Sequence, residues 1–91
     1  MSADDTVIRS LREEISDVDR AIVEGINRRL RLVARIKDYK TAQGIEFVDP
    51  EREAWMFTYQ SRANRGPLSQ DGLEQIYKQL LDLTKRELSD D

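Results

Sequence analysis

The chain has no cysteine and no histidine, and each absence removes a class of chemistry. Without cysteine there is no disulfide framework and no thiolate to hold a metal. Without histidine there is no imidazole acid–base catalyst, no Ser–His or Cys–His nucleophilic pair and no typical zinc site. Two prolines and four glycines leave little punctuation in 91 residues, a composition suited to helices and not to a sheet. No apolar run approaches a membrane span. The first residues, Met1 to Thr6, are polar and acidic, unlike a signal peptide or targeting helix. A net charge of −3 gives no dominant basic face for phosphate contacts, which argues against a nucleic-acid partner. A soluble cytoplasmic protein is the expectation.

What is present is helical patterning. The apolar fraction is 38% and the charged fraction 36%, a high charge load for a chain of one domain's length, residues 1–91. In steps of seven, Ile8, Ile15, Ile22, Arg29 and Ile36 form one series, and Leu11, Val18, Gly25, Leu32 and Tyr39 another. That a/d repeat predicts a long first helix, from about Asp5 to Ala42, with Asp4 or Asp5 as cap and Gly44 in the loop beyond. Such a helix would be over ~50 Å long, whereas a single globule of this length is only ~25 Å across. Its apolar stripe must therefore be buried by something beyond its own chain, and a partner subunit is the simplest answer.

The segment Thr41–Val48 reads as a loop. Asp49-Pro50 then opens a short second helix running to about Asn64, with Asp49 as cap and Pro50 in the first helical position. Its stripe is Trp55, Met56, Tyr59 and Ala63, and Gly66-Pro67 stops it. Ser69 caps a third helix with the stripe Leu73, Ile76, Tyr77, Leu80, Leu81, Thr84 and Leu88.

Several charged residues break these patterns. Arg29 stands where its series otherwise holds isoleucine, so it is either a register-setting polar residue in a helix seam or a cation that meets an anion. Lys40, eleven residues on, comes back to within about 20° of the same face. Gly25, one turn before Arg29, allows a close helix crossing or clears space for a ligand. Arg12 alone reads as a solvated residue; it is ~25 Å from Arg29 along the helix, and the two can meet one small ligand only if a second, antiparallel copy supplies Arg12. Asp49-Pro50-Glu51-Arg52-Glu53 reads equally well as an ordinary acidic helix start.

Taken in order, Leu11-Arg12-Glu13-Glu14-Ile15 with Asp19, Arg28-Arg29, Lys37 with Lys40, and Asp49-Pro50-Glu51-Arg52-Glu53 resemble the all-helical chorismate mutases of the small bacterial type. The resemblance covers Leu11 to Leu88. It implies an all-α chain of three helices, long, short and medium, forming an intertwined homodimer with shared active sites. The implied reaction is the Claisen rearrangement of chorismate to prephenate in phenylalanine and tyrosine biosynthesis, which needs no nucleophile, metal or cofactor. By that resemblance, Arg12 of a second copy and Arg29 clamp the two substrate carboxylates, and Lys40 donates to the ether oxygen. Asp49 and Glu53 hold the ring hydroxyl, Arg52 supports the loop and contacts the ligand, and the Thr84 hydroxyl contacts a carboxylate. Val33, Ile36, Met56 and Leu81 supply apolar walls.

One position departs from the family. Where a second donor to the ether oxygen, Gln or Glu, usually follows one turn after position 84, this chain has Leu88. Either Glu87 serves, protonated and so favouring activity at acidic pH, or Lys85 substitutes, or the site is altered. A mutase acting on 4-amino-4-deoxychorismate, an isochorismate pyruvate lyase and a non-catalytic dimeric helical interaction or regulatory module are the competing readings. A larger synthase partner also fits a small domain of this kind.

Overall fold

A computed structural model describes residues 5–89 and gives, among them, three α-helices and no strand: α1 (Thr6–Gln43), α2 (Pro50–Ala63) and α3 (Gln70–Glu87). The described chain divides into two compact units between Leu32 and Val33, so that α1 contributes to both.

Helix ends follow their caps. Asp5 begins α1, its Oδ1 accepting from the backbone N–H groups of Val7 (2.9 Å) and Ile8 (3.2 Å); Asp4, the other expected cap, lies outside the described residues. At the far end Ile45 N–H donates to the Lys40 carbonyl (2.8 Å) and Gly44 N–H to that of Thr41 (3.2 Å), with Gly44 at φ +70°. This is a Schellman ending, in which glycine takes the left-handed position that a Cβ disfavours. The helix expected to about Ala42 thus runs one residue further, to Gln43, and the loop that was read from Thr41 begins at Gly44. Asp49 caps α2 through its Oδ1 and the Arg52 N–H (3.2 Å), and Pro50 opens the helix. Ser69 caps α3 through its Oγ and the Gly72 N–H (3.0 Å). Between them Asn64 builds the turn, accepting from Gly66 N–H (3.0 Å) and donating to the Leu68 carbonyl (2.9 Å).

Packing differs between the units. In residues 33–89, α2 and α3 pack together. Phe57 meets Tyr77 with ring centroids 6.1 Å apart, and Tyr77 (7% exposed) and Thr84 (5%) are the buried residues. The half-buried face of α2 is Glu53, Met56, Phe57, Gln60 and Ser61. Trp55 and Tyr59, expected on the inner stripe, lie exposed and stack on one another at 5.4 Å. In a helix of 14 residues with polar Glu53 and Gln60 on its inner face, the apolar spacing did not fix the phase. Ile76 of the α3 stripe is likewise exposed.

In residues 5–32 nothing is buried. Leu11 (53% exposed), Ile15 (59%), Val18 and Ile22 all face outward, along with Leu32. The heptad pattern is present as a helix, but its apolar stripe is uncovered in the single chain.

Candidate active site

The cations and carboxylates that the sequence singles out fall into two groups. Arg12 is exposed on α1, and Arg29, at its a position, is half-buried; both belong to the first unit.

The second unit holds the rest, on three elements. From the last turns of α1, Lys40 directs its Nζ to the Phe47 carbonyl at 3.3 Å. Lys37, one turn earlier, donates to the Leu88 carbonyl and lies over the Phe47 ring, 5.7 Å from its centroid. Both lysines are half-buried. On α2, Asp49 is occupied as the N-cap, and the Arg52 guanidinium lies over the Trp55 ring at 4.5 Å, a distance at which a cation is attracted to the ring face. Glu53 places Oε1 3.1 Å from Lys85 Nζ on α3.

At the end of α3, the buried Thr84 donates its Oγ1 to the Leu80 carbonyl at 2.7 Å, a bond back along its own helix. Glu87 is the last residue of α3 and is exposed. Leu88 is the C-cap and half-buried, its N–H bonded to the Thr84 carbonyl at 3.0 Å. The structure thus brings Glu53 into contact with α3 and Lys40 onto the loop. It adds two residues to which the sequence reading gave no role, Lys37 and Phe47. The Lys37–Lys40 spacing of three on one helix was the signal for the first, since such residues share a face; Phe47 had none beyond its place in the loop.

Chemically, this is a set of fixed cations around main-chain carbonyls and one carboxylate. It can bind and orient an anion and stabilise negative charge as it develops. Among the described residues, no group of His, Cys, Asp and Glu is arranged to hold a metal ion, and no helix is long and apolar enough to cross a membrane.

Comparison with known proteins bears directly on this arrangement. The solved chorismate mutase of Thermus thermophilus superposes in its form II with a TM-score of 0.86 at 28% identity, covering 92% of this chain and 96% of that one. Form I gives 0.82 at 31% identity, covering 85% and 96%. The bifunctional chorismate mutase/prephenate dehydratase of Pseudomonas aeruginosa is 31% identical over 84 residues, 87% of this chain but 23% of that protein. Its namesake from Aquifex aeolicus is 31% identical over 78 residues, 81% of this chain and 22% of that protein. The chain thus spans less than a quarter of the length of these bifunctional relatives. Residues 11–88 match the family model of chorismate mutase type II. That stretch takes in every charged residue placed above from Arg12 to Glu87, and the chain belongs to the chorismate mutase type II family.

Proposed function

We propose that the chain catalyses the rearrangement of chorismate to prephenate as a homodimer with two equivalent sites, serving phenylalanine and tyrosine synthesis. The observation that carries the reading is the continuity of the family match from residue 11 to residue 88, which includes Arg12 and Arg29 on α1 and the charged residues singled out on α2 and α3.

The dimer is argued from burial. The helix between Thr6 and Leu32 has no buried residue, and isolated helices in water are marginal without a packed face. Leu11, Ile15, Val18 and Ile22 each leave more than half their surface exposed, and covering them contributes on the order of 1 kcal/mol apiece. A second copy running antiparallel covers the stripe and brings its Arg12 toward the first copy's Arg29. Each chain is then one domain, completed by its partner.

In this site Arg12 and Arg29 clamp the two carboxylates by paired N–H bonds, and Lys40 faces the ether oxygen. Within the substrate one C–O bond breaks and one C–C bond forms, with no proton exchanged. The protein holds the compact conformer and stabilises charge that grows on the ether oxygen. Asp49 and Glu53 address the ring hydroxyl, the feature that favours chorismate over its 4-amino analogue. Arg52 flanks that end of the site, and Thr84 lines it through its buried hydroxyl.

The test is to incubate the purified protein with chorismate and identify products chromatographically. Prephenate at an enzymatic rate supports the proposal. Turnover of isochorismate or the 4-amino analogue instead would reassign the substrate, and inertness toward all three would leave a binding module.

A further inference from the structure

We propose that Trp55 is a positioning residue of this site: its indole ring, backed by Tyr59, holds the Arg52 guanidinium in place for an anionic substrate. The inference rests on the chorismate reading above and adds a residue to it. Arg52 stands near the start of α2 with its guanidinium over the Trp55 ring, 4.5 Å from the centroid, within the range of a cation–π attraction. The indole is itself stacked on Tyr59, one turn on, with centroids 5.4 Å apart and the planes 18° from parallel.

The arrangement leaves the charge of Arg52 available. Its acidic neighbours are engaged elsewhere: Asp49 Oδ1 accepts from the Arg52 backbone N–H at 3.2 Å, and Glu53 pairs with Lys85 at 3.1 Å. Among the described residues no ion pair engages the Arg52 side chain. A ring face attracts a guanidinium without neutralising it. Arg52 is also exposed, so a ligand reaches it from solvent. Trp55 and Tyr59 are each more than half exposed and take no part in the core, so holding the cation is the contact in which the indole is used. A side chain ordered before the ligand arrives loses less freedom on binding than a free one. Trp55 thereby tightens binding without touching the substrate.

A surface ladder that merely steadies α2 is the rival account, because side chains three and four residues apart support a helix by themselves. The experiment measures kcat and KM for chorismate, with a thermal melt, in the wild type, Trp55→Leu, Trp55→Phe, Arg52→Ala, and Trp55→Leu with Arg52→Ala. Trp55→Leu is expected to raise KM about threefold to thirtyfold, the span from an exposed to a desolvated cation–π contact. The turnover number and the melt should stay near the wild type, since uniform binding is what is lost. Trp55→Phe, which keeps a ring face, is expected to fall between the two. In the Arg52→Ala background the same Trp55→Leu change is expected to alter KM by less than about twofold, because the group it positions is gone. A Trp55→Leu KM within about twofold of the wild type, or below it, overturns the proposal. So does an equal rise in KM with and without Arg52, the mark of a structural ladder. The contact also has a readout besides turnover. Trp55 is the chain's one tryptophan, so the emission of the ligand-free protein is expected to shift to the red in Arg52→Ala as the ring loses its cover. Unchanged emission overturns the contact. A wild type inert toward chorismate overturns the underlying reading and takes the role of Trp55 with it, and is recognised before any variant is made.

Discussion

From Thr6 to Leu32 the chain is helix and nothing else; from Val33 to Ser89 it is the end of that helix, a loop and two further helices tied together. In the second region polar bonds cross between elements: Lys37 to Leu88, Glu53 to Lys85, and Gln70 Nε2 to Ser61 Oγ at 3.0 Å. Tyr77 and Thr84 are buried there. The first region buries nothing, yet it carries the more regular apolar pattern. A regular a/d stripe is a surface suited to another helix, whereas the irregular stripes of α2 and α3 fit the particular helix each one meets. On the dimer proposed above, the two regions differ in where their partner comes from, another chain or the same one.

The sharpest break in that comparison is to charge the stripe. Ile15→Glu with Ile22→Glu places carboxylates where the dimer would bury isoleucine, a cost no exposed site would bear. The expected result is a monomer by sedimentation, with most of the helical circular dichroism and all turnover lost, against a wild type whose melting temperature rises with concentration. A double variant that stays folded and dimeric would show that this face is not the interface.

Next in size is the pairing of Arg12 with Arg29. Each alanine substitution alone is expected to lower kcat/KM by on the order of 10³ while the melt changes little. If each site takes Arg29 from one chain and Arg12 from the other, a dimer of one Arg12→Ala chain with one Arg29→Ala chain has one intact site. Unfolding and refolding an equimolar mixture should then recover about a quarter of wild-type activity, because half the dimers are mixed and one of their two sites is whole. Recovery of none would place both arginines in the same chain's site.

The fold was largely legible in the sequence. Asp49-Pro50, Ser69 and Gly44 act through bonds to atoms within a few residues, so they located the helix ends to about one residue. The α1 stripe was legible because its two series recur at every seventh residue from Ile8 to Tyr39 and are apolar except at Gly25 and Arg29. What was not legible was contact at a distance along the chain. Nothing local marks Glu53 as the partner of Lys85, 32 residues away, or Lys37 as the residue that reaches Leu88, 51 residues away. The same limit misplaced Trp55 and Tyr59. Their spacing satisfies a helix face, but which face turns inward was decided by where α3 packs.

The smallest expected effect tests one of those distant contacts. Glu53 and Lys85 have side chains 29% and 45% exposed, and an ion pair that open to water contributes less than about 1 kcal/mol. Lys85→Met should therefore shift the melt only slightly. Its effect on turnover is informative for the opposite reason. Glu53 is the carboxylate proposed to hold the ring hydroxyl, and Lys85 acts on the substrate only by fixing where that carboxylate points. Loosening it weakens ground-state and transition-state binding together, so KM is expected to rise while kcat holds. A fall in kcat at constant KM would instead put Lys85 beside the breaking bond. That outcome would make Lys85 the replacement for the donor missing at Leu88.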